Sequence, residues 1–155
     1  MIELGTINTM KNRPQTPLNI LLADDDIDDC FFFDQASKEI EIETQLTTVH
    51  DGEQLMDYLY AHIENLPDAI FLDLSMPRKS GFECLTEIKE NIKFNEIPIV
   101  VFSTSFSKDL NYELSLMNIL YKIGMTDFIR KPRGFVQLKE IIAEALAKIL
   151  RKTAA

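Results

Sequence analysis

Cysteine is scarce in this chain. Its 155 residues hold two, Cys30 and Cys84, and their spacing fits no metal site. With no export signal in view, they read as reduced thiols of a cytosolic protein. The N-terminus lacks the charged-then-apolar layout of such a signal. Long hydrophobic runs are also missing. The apolar stretches, such as IPIVVF at 97–102, fall far short of the roughly 20 residues a helix needs to cross a bilayer. Basic residues are the third shortage, with 16 Lys and Arg against 25 Asp and Glu and a net charge of −9. Nucleic acid as the main partner would need a basic face for the phosphates. An acidic balance fits a cation or a basic partner instead. Neither GxxxxGK[ST] nor GxGxxG occurs, so nucleotide binding has no support. There is no repeat and no low-complexity tract.

What is there is ordinary globular material, 46% hydrophobic and 26% charged, enough for one domain with a proper core. Residues 1–17 are polar, carry Pro14 and Pro17, and read as a flexible extension. From Leu18 on, short apolar runs alternate with helical patterns. Strands are expected at 18–23, 42–49, 68–73 and 97–103, and a fifth in TDFIRKP. Helices are expected at 27–39, 53–63, 82–92, 108–123 and 136–150. Asp26 reads as the cap of the first helix. Gly52 reads as a turn residue with positive φ and Gly124 as the stop of the fourth helix. Strands 1, 3 and 4 are apolar without alternation, so both of their faces are expected to be covered. Five βα units with right-handed crossovers make an α/β fold, a doubly wound parallel sheet. Ligands of such sheets bind beyond the carboxyl ends of the strands.

The residues at those ends are chemically suggestive. Strand 1 runs out into Asp24 and Asp25, strand 3 into Asp73, strand 4 into Ser103 and Thr104, and strand 5 into Lys131 before Pro132. With strands 1 and 3 adjacent, three carboxylates converge, which is costly unless a proton or a cation neutralises them. Hard oxygen ligands with open positions suit Mg²⁺ sharing its shell with a phosphate. A hydroxyl and an ammonium opposite would hold the remaining phosphoryl oxygens, and a carboxylate is a competent nucleophile.

Together, ILLADDD, DAIFLDLSMPRKSGFE, IPIVVFSTS and DFIRKP resemble the receiver domain of two-component response regulators, over roughly residues 18–150. The resemblance implies a five-stranded flavodoxin-like (βα)5 sheet of order 2-1-3-4-5. It implies that Asp73 is the phosphoacceptor and that Mg²⁺ is held by Asp25 directly, by Asp24 through water, by Asp73, and by the backbone carbonyl of Ser75. Ser103 matches the switch hydroxyl, Lys131 the phosphate-contacting lysine and Phe128 the switch aromatic. The Lys131–Pro132 bond is expected to be cis, as in the family. Phosphorylation is expected to draw Ser103 inward, with Phe128 following.

The implied partners are a histidine kinase or histidine phosphotransfer protein and a downstream protein target, with no nucleic acid and no membrane; a homodimer stays open. The domain is expected at 18–152 with no output module after it, making a stand-alone signalling protein that is no enzyme beyond its own phosphorylation and dephosphorylation. The stretch from Ser103 to Gly124 is about six residues longer than family members show. Ser75 and Ser105 stand where the family tunes dephosphorylation, and being neither acid nor amide they predict slow self-hydrolysis. Two other readings compete: a pseudo-receiver that is never phosphorylated, which would lack the acceptor or an acid, and a phosphatase of the haloacid-dehalogenase type, which would need an acid where Ser75 stands. Phe31, Phe32 and Phe33 are consecutive, so one of them is expected to be half exposed. Neither His50 nor His62 reads as a relay histidine.

Overall fold

The computed structural model describes residues 16–104 and 109–154. Five strands alternate with five helices: β1 Leu18–Ala23, α1 Ile27–Lys38, β2 Thr44–Val49, α2 Gly52–Ala61, β3 Ala69–Leu72, α3 Gly81–Glu90, β4 Ile99–Ser103, α4 Leu110–Ile123, β5 Asp127–Arg130 and α5 Phe135–Ala154. All four strand pairings are parallel, and the order is β2-β1-β3-β4-β5.

The apolar runs sort by alternation onto two faces. Leu21, Ala23, Ile70, Leu72, Ile99 and Val101 point to one side and pack against α2, α3 and α4, through Leu55, Leu59, Leu85, Ile88 and Leu120. Ile20, Leu22, Ala69, Phe71, Val100 and Phe102 point to the other and pack against α1 and α5, through Phe33, Ala36, Ile142 and Leu146. A strand covered on both faces has no polar side, which is why β1, β3 and β4 read as continuous apolar runs. The edge strands β2 and β5 are only half buried.

Register places the site. Ala23 pairs with both Val49 and Leu72, and Ser103 pairs with Arg130. The residues that follow are tied across the same edge: the Asp73 amide donates to the Ala23 carbonyl at 2.9 Å, and the Lys131 amide to the Ser103 carbonyl at 2.9 Å. Short polar residues start the helices, with Asp26, Asp51, Ser80 and Asp109 each accepting from a backbone amide of the first turn.

Three expectations are corrected. Gly52 has no positive φ; among the described glycines only Gly124 does, at 130°. Gly52 instead begins α2, and a Cβ there would lie 2.0 Å from the Lys79 carbonyl oxygen, so close backbone approach is what requires glycine. Two phenylalanines of the triplet are exposed, not one: Phe31 and Phe32 face out while Phe33 is buried. The apolar stripe of α1 is narrow, following Cys30, Phe33 and Ala36–Ser37, so two adjacent positions turn away from it. The Lys131–Pro132 bond is trans, since the described residues hold no cis peptide; the lysine reaches the carboxylates from the trans geometry. Residues 1–15 of the expected extension, Ser105, and part of the lengthened stretch lie outside the described residues. The remainder of that stretch forms α4.

Candidate functional site

Asp24, Asp25 and Asp73 each offer a carboxylate oxygen, and the three lie within 4.8 Å of one another. Asp24 and Asp73 are buried and Asp25 is exposed, so the cluster opens to solvent on one side. Such a set of hard oxygen donors suits a divalent cation that keeps part of its water.

Asp24 leaves β1 where the chain turns into α1. Its Oδ1 accepts from the Asp26 amide at 2.9 Å, and its Oδ2 lies 2.6 Å from the Lys131 ammonium. Behind it, the Asp24 carbonyl accepts from the Cys30 thiol at 3.4 Å and faces His50 Nδ1 at 3.1 Å. Burial pushes the Asp24 carboxyl up to about 6, with the Lys131 contact opposing. Burial likewise pushes the Cys30 thiol up to about 12, so it is protonated packing, not a nucleophile.

Asp73 follows β3. Its Oδ1 accepts from the Ser75 amide at 3.2 Å and from the Ser103 hydroxyl at 2.8 Å, and its Oδ2 from Lys131 Nζ at 3.2 Å. The loop after it is clamped by Gly81, whose amide donates to the Leu74 carbonyl and whose missing Cβ would sit 2.3 Å from the Asp73 carbonyl oxygen. The Ser103 hydroxyl is therefore a direct partner of the carboxylate. A buried hydroxyl needs an acceptor, and Asp73 is the one at hand. Phe128 is half buried against the α2–α4 side of the core.

Lys131 is the charge balance of the pocket. Its side chain is 8% exposed, and Nζ contacts Asp24 at 2.6 Å, Asp29 at 2.8 Å and Asp73 at 3.2 Å. These carboxylates hold its proton well above the ordinary lysine range, against the effect of burial. The two shifts have different causes in one pocket: burial raises the Asp24 carboxyl, and the surrounding carboxylates raise the lysine.

The sequence placed Asp24, Asp25, Asp73, Ser103 and Lys131 together, and the structure brings them together. Ser75 turns its amide to the same carboxylate. Asp29 was missed. It lies four residues after Asp25 in the first turn of α1, so one helical turn carries it back over the pocket, and that spacing was the available signal. Also missed was Glu113 of α4, buried and ion-paired with Arg130 of β5.

Fold and site together define a flavodoxin-like α/β protein with an acidic, lysine-balanced pocket at the strand ends. A family model for the response regulator receiver domain matches residues 20–143. The response regulator Rcp1 of Synechocystis sp. is 35% identical over 133 residues, 81% of this chain and 90% of that protein. The crystal structure of the phosphorylated cyanobacterial phytochrome response regulator RcpA superposes with a TM-score of 0.71, at 31% identity, over 84% of this chain and 91% of that one. The Mn²⁺-bound form of Rcp1 superposes with a TM-score of 0.70, at 29% identity, over 83% and 91%. The chain belongs to the response regulator receiver domain family. No helix among the described residues is long and apolar enough to cross a membrane.

Proposed function

We propose that Asp73 is a phosphoryl acceptor, fed by the phosphohistidine of a kinase or phosphotransfer protein. The observation that carries this is the convergence on one carboxylate of a buried ammonium, a hydroxyl donor and two further acids. An Asp73 oxygen attacks phosphorus in line; the O–P bond forms as the N–P bond breaks, and the imidazole nitrogen leaves with the electron pair. Lys131 takes a phosphoryl oxygen, and the Ser103 hydroxyl turns from the carboxylate to another. Asp24, Asp25, Asp73 and the Ser75 carbonyl would hold Mg²⁺, which when bound offsets charge on the transferring group. The Mn²⁺-bound form of Rcp1 supports a divalent site in this family.

Signalling then proceeds through protein contacts on the α4–β5–α5 side, where Phe128 lies, by biasing a two-state element. In this reading the protein turns over no other substrate and works in the cytoplasm. With serine at position 75 and at 105, the aspartyl phosphate is long-lived; a half-life of seconds, measured by loss of the modified mass, contradicts that part.

The test is intact-mass analysis after incubation with acetyl phosphate and Mg²⁺. Wild type should gain one phosphoryl group and Asp73→Asn none. Equal labelling of both, or of neither, overturns the assignment.

A further inference from the structure

The Lys131 ammonium has three hydrogens, and three carboxylates surround it. Two of these, Asp24 and Asp73, also belong to the oxygen cluster suited to a cation, whereas Asp29 does not. Asp29 is built on the first turn of α1, its amide bonded to the Asp26 cap at 3.1 Å, and it reaches Lys131 from the rim, with a 36% exposed side chain. The ammonium also lies 5.8 Å from the centre of the Phe102 ring.

We infer that Asp29 is a positioning residue for Lys131. It holds one ammonium hydrogen at the rim, so the lysine keeps its place when the other two carboxylates are engaged, and a second hydrogen stays aimed at the incoming phosphoryl oxygen. The inference rests on the reading of Asp73 as acceptor. Without this anchor the flexible lysine side chain is held only by the two carboxylates that a cation and a phosphoryl group also engage, so it spends less time where the phosphoryl group needs it. Asp29 lies outside the metal cluster, so its removal acts on the phosphoryl side of the site.

The test uses the full chain as wild type, Asp29→Ala, Asp29→Asn and, as control, Asp28→Ala, an exposed acid of the same helix turn. Two quantities are read: the dissociation constant for beryllofluoride at saturating Mg²⁺, and the ¹⁵N resonance of the Lys131 ammonium without metal. Asp29→Ala should weaken beryllofluoride by about fivefold to tenfold, the range of a charge-assisted bond with one half-exposed partner. It should also shift or broaden the Lys131 ammonium signal. Asp29→Asn, which retains an accepting oxygen, should recover part of both, and Asp28→Ala should match wild type. Binding by Asp29→Ala equal to wild type overturns the inference and leaves the acceptor reading standing. Failure of wild type itself to bind beryllofluoride overturns both.

Discussion

Lys131 neutralises Asp24 and Asp73 where both carboxylates are buried. Replacing it removes the cation and leaves the acids. Lys131→Met should therefore cost about 3 kcal/mol in urea unfolding at pH 7 without metal, near the low end for breaking a buried pair because the carboxyls can take up protons instead. The same variant should lose less at pH 5, where Asp24 is already largely protonated in the parent. An equal loss at both pH values would show that packing, not charge, sets the cost. At this scale the site was readable from the sequence wherever a residue ended a strand: position 73 follows AIFL, 103 follows IVVF and 131 follows DFIR. What could not be read was contact made by helical residues across the pocket. Asp29 and Glu113 both sit in acidic or mixed stretches that look like solvated faces, and only the packing of α1 and α4 shows where they turn. The peptide isomer at Pro132 was equally illegible, since an X–Pro bond differs by only about 0.5–1 kcal/mol between its forms.

The elements themselves were legible in proportion to their burial. β1, β3 and β4 lie between two helical layers and declare themselves as apolar runs. β2 and β5, at the edges, are only half buried, so their limits blur. Glycines were the weak point, because sequence does not distinguish a positive φ from a close approach. Gly124 is the first kind, ending α4 at φ 130°; Gly52 and Gly81 are the second. Gly81 joins α3 to the loop that carries Asp73. A methyl group there would lie 2.3 Å from the Asp73 carbonyl oxygen and 2.6 Å from the Leu74 Cα, backbone that no rotamer change relieves. Gly81→Ala should cost about 1–3 kcal/mol by the usual scale of overpacking. It should also slow labelling by acetyl phosphate, because the displaced backbone carries the acceptor. Melting temperature and labelling rate measured on one sample separate the two effects; an unchanged melting temperature would mean the loop moves aside freely.

At the scale of the whole molecule, 25 acids against 16 bases make proton and cation uptake the main levers on stability. The Asp24 carboxyl is held at about 6 in the folded protein against an ordinary 3.8. A carboxyl raised by folding binds its proton more tightly in the native state, so its contribution to stability is complete below about pH 3.8 and lost as pH rises to about 6. By pH 7 the loss amounts to roughly 3 kcal/mol, at about 1.4 kcal/mol per tenfold change in proton affinity. Lys131, raised as a base, contributes in full at every pH below the ordinary lysine value and loses that contribution only as pH rises above it, which leaves the window from 4 to 6 to the acids. Other carboxyls titrate in that window, so the measurement is a difference. The metal-free melting temperature of Asp24→Asn, relative to wild type, should rise as pH increases from 4 to 6 and level off above it. A divalent ion held by Asp24, Asp25 and Asp73 competes with the same proton. Millimolar Mg²⁺ should therefore raise the wild-type melting temperature at pH 7, raise it much less at pH 5, and do little for Asp24→Asn at either pH. A Mg²⁺ shift of equal size at pH 5 and pH 7 would place the ion's binding energy elsewhere on this acidic surface and detach it from the buried carboxyl at the end of β1.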